Sequence, residues 1–98
     1  MISAKQLQNS YNRLYKCLRE YIWPSNVVSN IADLEIEVYK TFPDLKEIRN
    51  RCNRLKASCF RYVDDDEDMK AEFENFREIL ESSTELYSKL DTRLEGVK

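Results

Sequence analysis

Apolar residues recur along this chain at alternating steps of three and four, and this spacing constrains the fold more than any other feature. The pattern begins at Ala4, Leu7 and Tyr11 and returns, with few interruptions, as far as Leu94. Residues spaced in this way share one side of an α-helix, so the chain predicts amphipathic helices. Only one Gly and two Pro occur in 98 residues, too few for the tight turns of an all-β fold. We therefore expect an all-α bundle.

The chain length is that of one domain, so residues 1–98 are expected to form a single helical bundle. The first helix is predicted over residues 4–22, followed by a short turn around Trp23 and Pro24. A second stripe then keeps its alternation without a break: Val27, Ile31, Leu34, Val38, Thr41, Leu45, Ile48, Cys52, Leu55, Cys59 and Tyr62. This continuity favours one long helix over residues 26–63.

Pro43 lies within that second stripe and leaves two architectures open. Proline removes one helical hydrogen bond and clashes with the carbonyl of residue i−4, so a kink or a break is expected there. Thr41 and Asp44 resemble a capping box around it. Because the phase of the stripe survives Pro43, we expect an antiparallel three-helix bundle with a kinked middle helix. The alternative is a chain reversal and a four-helix bundle.

A run of acidic residues, 64–68, separates the second stripe from the last helix. Carboxylates at a helix start accept hydrogen bonds from free backbone N–H groups, so this run predicts a turn and an N-terminal cap. It lacks the ligand spacing of a calcium-binding loop. The last stripe comprises Met69, Phe73, Phe76, Leu80, Ser83, Tyr87, Leu90 and Leu94.

Composition indicates a soluble, cytoplasmic protein with no membrane span and no secretory signal. The longest uncharged stretch covers only residues 21–32, far short of the ~20 apolar residues that span a bilayer. The cysteines Cys17, Cys52 and Cys59 are odd in number and fall within helices, which is typical of reduced core thiols.

The absence of His from the chain is the strongest indication about chemistry. Without His there is no Ser-His or Cys-His pair and no common zinc motif. The Asp and Glu residues fall on polar helix faces or in the acidic turn. We therefore expect no enzyme, no metal or other cofactor and no small-molecule substrate.

The two parts of the chain carry opposite charge. Residues 1–62 contain eleven Lys/Arg and six Asp/Glu, whereas residues 63–98 contain five and twelve. Six cations are clustered in the middle of the chain, where they could contact phosphates: Lys46, Arg49, Arg51, Arg54, Lys56 and Arg61. Because the net charge is −2 and the last helix can neutralise these cations, nucleic acid is not the expected partner.

A long middle helix also predicts a partner surface. At ~1.5 Å per residue the first helix spans about 30 Å and the middle helix about 55 Å, so one end of the bundle would lack cover. The apolar residues at that tip are Leu55, Phe60, Tyr62, Phe73 and Phe76. The sequence therefore predicts a protein-interaction module, such as an adaptor, assembly factor or inhibitor, that binds another protein or dimerises through the tip. The alternatives are a nucleic-acid binder that uses the basic cluster, and an acidic mimic of nucleic acid.

Overall fold

The computed structural model describes the backbone of residues 4–96 and the side chains of residues 4–82. These residues form four α-helices and contain no β-strand: α1 (Ala4–Leu18), α2 (Ser25–Val38), α3 (Leu45–Cys59) and α4 (Glu67–Gly96). The all-α prediction is confirmed. The four-helix alternative fits the structure, whereas the preferred three-helix architecture is wrong. In the part of the chain described, no helix is both long and apolar enough to cross a membrane.

The chain reverses at Pro43 instead of kinking. Asp44 is the N-cap of α3, and its carboxylate accepts hydrogen bonds from the backbone N–H groups of Lys46 and Glu47 at 3.1 and 3.2 Å. Pro43 stands just outside the helix, where its missing N–H has no helical bond to lose and the residue before it is kept out of the helical conformation. The predicted cap at Thr41 is therefore wrong, because the helix starts three residues later.

The continuous phase of the second stripe is the reason why the sequence predicted one kinked helix where the structure has two. Thr41, the stripe residue at the reversal, is exposed, whereas Val38 on α2 and Ile48 on α3 are buried. Each helix needs its own buried face, so the stripe consists of two separate core faces whose phases agree. Heptad phase therefore does not distinguish one kinked helix from two antiparallel helices.

The helices pack in antiparallel pairs. Between α2 and α3, Asn30 donates a hydrogen bond to Ser58 at 3.0 Å, while Arg51 donates to the carbonyl oxygen of Asp33 at 2.9 Å. The main partner of α1 is α4. All four helices contribute to one core, which consists of Leu7, Tyr11, Leu14, Leu18, Val27, Leu34, Val38, Ile48, Cys52, Leu55, Cys59, Met69, Phe73, Phe76 and Leu80. The stripe positions Ser83, Tyr87, Leu90 and Leu94 lie outside the described side chains.

Two connections meet at one end of the bundle. α1 ends at Leu18, earlier than predicted, and the indole N–H of Trp23 donates a hydrogen bond to the Leu18 carbonyl oxygen at 2.7 Å. The Tyr21 hydroxyl donates to the carboxylate of Asp66 at 2.5 Å. Asp66 also accepts from the backbone N–H of Met69 at 3.0 Å, as expected of the acidic turn. The turn thus caps α4 and holds the α1–α2 connection.

Candidate functional site

The tip that was predicted to lack cover is enclosed by the bundle. Leu55, Phe73 and Phe76 are buried in the core, and the half-buried ring of Phe60 packs against Phe73 with centroids 5.8 Å apart. Tyr62 is the only one of the five that is exposed, at 57%. The expected difference in length between the first and middle helices was wrong, because the reversal at Pro43 produces two short helices, α2 and α3, in place of one long helix.

The basic cluster on α3 is partly neutralised by neighbouring carboxylates. Arg49 lies 3.8 Å from Glu81, and Lys56 lies 3.7 Å from Glu74, both on α4. Arg51 pairs with Glu47 at 3.0 Å and lies 3.7 Å from Glu37. Within this cluster, the exposed cations that form no salt bridge with a described residue are Lys46, Arg54 and Arg61.

A cavity of about 150 Å³ opens between α3 and α4. It is lined by Arg49, Cys52, Asn53, Arg77, Leu80 and Glu81. Burial raises the pKa of Cys52 to about 11, so its thiol is neutral at pH 7 and a poor nucleophile. Glu81 lies within 4 Å of both arginines of the cavity, at 3.8 Å from Arg49 and 3.1 Å from Arg77. Among the described residues, no group of three Cys, Asp or Glu side chains is placed to hold a metal ion.

The outward side of α2 carries an apolar surface that the sequence argument missed. Val28 and Ile36 are 51% and 59% exposed, Ala32 lies exposed between them, and Tyr39, just after the helix, is 47% exposed. These positions fall within an arc of about 80° on a helix of 3.6 residues per turn and span about 16 Å along its axis. We call the surface formed by Val28, Ala32, Ile36 and Tyr39 the α2 face.

Aromatic residues extend the α2 face toward α1 and into the next connection. The Tyr39 hydroxyl donates a hydrogen bond to Asn12 at 2.9 Å, and its ring meets Tyr11 edge to face at 6.2 Å. Tyr11 is stacked on the exposed Tyr15 at 6.1 Å. Phe42, in the α2–α3 connection, is 90% exposed. The contacts with α1 therefore fix the position of Tyr39, while part of its ring faces solvent.

The charges around the α2 face are acidic. Residues 25–38 contain Asp33, Glu35 and Glu37 but no Lys or Arg. Glu37 is buried and pairs with Lys40 and Arg51. Asp33 and Glu35 are exposed, and neither carboxylate forms a salt bridge within the described part of the chain.

These two carboxylates lie on opposite borders of the α2 face. Glu35 is on the side toward α1. Burial raises the pKa of Tyr11 on α1, and the negative charge of the nearby Glu35 raises it further. Asp33 is on the side toward α3, since its carbonyl oxygen accepts the hydrogen bond of Arg51.

A signal for the α2 face was present in the sequence. Val28, Ala32, Ile36 and Tyr39 recur at steps of four, four and three, so α2 has a second apolar stripe beside its core stripe. A stretch of residues with apolar positions on two sides is typical of a helix with two partners. Within the described structure only the core side of α2 is packed.

Comparisons of the chain with protein-family models, curated proteins and solved structures gave no match.

Proposed function

We propose that this protein is a non-catalytic module that binds another protein through the α2 face. The observation that supports this is the row of Val28, Ala32, Ile36 and Tyr39, which stays exposed on a helix whose other side is fully packed. Contiguous apolar surface facing water is unfavourable, and on folded proteins it commonly marks an interaction site. Adaptors, assembly factors and inhibitors all act through surfaces of this kind.

The chemistry of the other candidate regions supports a binding role over catalysis. The cavity between α3 and α4 combines a neutral thiol with arginines that share Glu81 as an ion-pair partner. Neither group is an effective general base near pH 7, and the chain contains no His to act as one. The α2 face, by contrast, offers exposed apolar surface together with Tyr39, a residue type that often supplies much of the affinity at protein interfaces.

A matched pair of substitutions tests the proposal. Ile36→Glu places a charge in the α2 face, whereas Ile22→Glu makes the same change at a fully exposed position in the α1–α2 connection. Both variants should fold like the wild type by circular dichroism, because neither side chain is in the core. We expect affinity capture from host extract, quantified by mass spectrometry, to recover a protein with the wild type and Ile22→Glu but not with Ile36→Glu. Equal recovery by all three proteins would contradict the proposal.

A second candidate function rests on Lys46 and Arg54 on α3 and on Arg61 just after it, exposed cations that form no salt bridge with a described residue. These three cations could contact a nucleic-acid backbone, although the net charge of −2 opposes such binding. A gel-shift titration distinguishes the two functions. Binding that weakens steeply with salt and disappears in a Lys46→Glu/Arg54→Glu variant would favour nucleic acid over a protein partner.

A further inference from the structure

We propose that the partner presents an amphipathic helix with Lys or Arg residues on both sides of an apolar ridge, and that this helix lies along the α2 face. This inference rests on the proposed function and adds the chemistry of the partner. It combines two independent properties of α2: the shape of its exposed apolar row and the sign of the charges that border that row.

The dimensions of the α2 face suit a helix. Val28, Ala32 and Ile36 form a straight i, i+4 row, which is one of the ridges that pack into grooves of a second helix. The face is about 16 Å long, which matches about three turns of a partner helix. Tyr39 and Phe42 stand at one end, where large aromatic side chains can anchor the contact.

The charges at the borders of the face indicate which charges the partner should carry beside its apolar ridge. Glu35 borders the α1 side and Asp33 the α3 side, and both carboxylates are exposed. Two cations beside the face, Lys40 and Arg51, pair with the buried Glu37, and Arg51 also pairs with Glu47 and donates a hydrogen bond to the carbonyl oxygen of Asp33. A partner with cations on both sides of its apolar ridge would place each of them opposite a carboxylate, which favours the complex and steers its formation.

A second copy of this chain fits the α2 face poorly. A symmetric contact between two α2 helices would bring the two sets of Asp33 and Glu35 carboxylates together, and like charges across an interface are unfavourable. The exposed side of α3 carries cations, but its other exposed residues are Asn50, Asn53 and Ala57, so it has no large apolar side chain to cover Val28 and Ile36. These charges and side chains therefore favour a different protein at the α2 face over a second copy of this chain, the two kinds of partner that the sequence left open for the tip.

Two synthetic peptides with the same apolar ridge test this inference. Both are capped 18-residue helices with Leu at the ridge positions, one with Lys and the other with Glu along both flanks. They are titrated into the full-length protein labelled with ¹⁵N. We expect the Lys-flanked peptide to shift amide resonances of residues 28–42 and to bind at least tenfold more tightly than the Glu-flanked peptide. Its affinity should fall as salt is added.

Two variants test the contribution of the border carboxylates separately from that of the apolar surface. Asp33→Lys/Glu35→Lys should reverse the peptide preference, and Ile36→Glu should weaken binding of the Lys-flanked peptide at least tenfold, with Ile22→Glu as the matched control. Equal binding of the two peptides at the α2 face, or a preference for the Glu-flanked peptide, would overturn the partner chemistry and leave the binding surface in place. Shifts outside residues 28–42, no binding of either peptide, or unchanged binding by Ile36→Glu would overturn both proposals. A dimer in sedimentation velocity that Ile36→Glu dissociates would show that a second copy is the occupant.

Discussion

The carboxylate of Glu37, 2% exposed near the end of α2, lies 3.7 Å from the guanidinium of Arg51 on α3. The same carboxylate oxygen accepts a hydrogen bond from Lys40, which follows α2. One buried acid thus connects both sides of the reversal at Pro43. A buried carboxylate is stable only when cations or hydrogen-bond donors compensate its lost hydration, so this arrangement depends on Arg51 and Lys40.

Removal of the Glu37 carboxylate should destabilise the bundle. We expect Glu37→Ala to lower the free energy of unfolding by about 1–2 kcal/mol, because it leaves Arg51 and Lys40 without their buried partner. The control is Glu47→Ala, which removes a much less buried partner of the same Arg51 and should have little effect. Urea unfolding followed by circular dichroism measures both. Equal losses in the two variants would contradict a special role for Glu37.

The position of the α3 N-cap predicts a difference between two nearby residues. Asp44→Ala removes the acceptor for two backbone N–H groups and should cost about 1 kcal/mol of stability. Thr41→Ala changes an exposed residue in the connection and should cost much less. A thermal melt of the two variants tests where α3 begins, since a kinked helix capped at Thr41 requires the opposite order.

The contact between Tyr21 and Asp66 predicts stability that depends on pH. The hydrogen bond from Tyr21 lowers the pKa of Asp66 below its ordinary value of 3.8. The same bond is the main reason why the pKa of Tyr21 rises from 10.0 to about 12, and burial contributes less. A lowered acid pKa stabilises the fold above pH 4, and that contribution is lost as the pH falls through the folded-state pKa. A raised Tyr pKa stabilises the fold below pH 10, and that contribution is lost as the pH rises from 10 toward 12.

Tyr21→Phe isolates this contribution. The wild type should be more stable than the variant between about pH 4 and pH 10, and the difference should shrink outside that window on both sides. Unfolding free energies measured across the pH range give the comparison. A constant difference at all pH values would show that the hydroxyl acts through packing alone.

The three thiols should differ in their rates of alkylation. Burial raises the pKa of Cys52 to about 11 and that of Cys59 to about 12, and both side chains are buried in the core. Cys17 is only half-buried, although burial and then the nearby Glu72 also raise its pKa. Iodoacetamide at pH 8 should modify Cys17 first, and Cys52 and Cys59 only as the protein unfolds. Peptide mapping by mass spectrometry reports the order, and fast modification of Cys59 in the folded protein would contradict its burial.

Phe60 and Tyr62 distinguish an enclosed end of the bundle from an uncovered one. Phe60→Glu should destabilise the protein by about 2 kcal/mol, because it places a charge against the buried ring of Phe73. Tyr62→Glu should have little effect, since Tyr62 is exposed. Light scattering during the same experiments should show no change in mass for either variant. Dissociation of a dimer by Phe60→Glu, with the fold intact, would restore the tip as an interface.

Periodicity in the sequence was enough to assign the helical class and most of the core. Leu7, Leu14, Val27, Leu34 and Phe76 were recognisable as core residues because a period near 3.6 depends only on local helical geometry. The cap formed by Asp66 was equally local, since a carboxylate placed before an apolar run has few other hydrogen-bond roles.

The direction of the chain at Pro43 and the surface that remains exposed depend on the packing of the helices. A stripe shows that a helix has a buried side, but not which helix covers it, so one kinked helix and two antiparallel helices give the same pattern. Val28 and Ile36 remain exposed because α1 and α3 pack against the opposite side of α2. Burial depends on contacts between segments that are distant in the chain, and local periodicity does not specify those contacts.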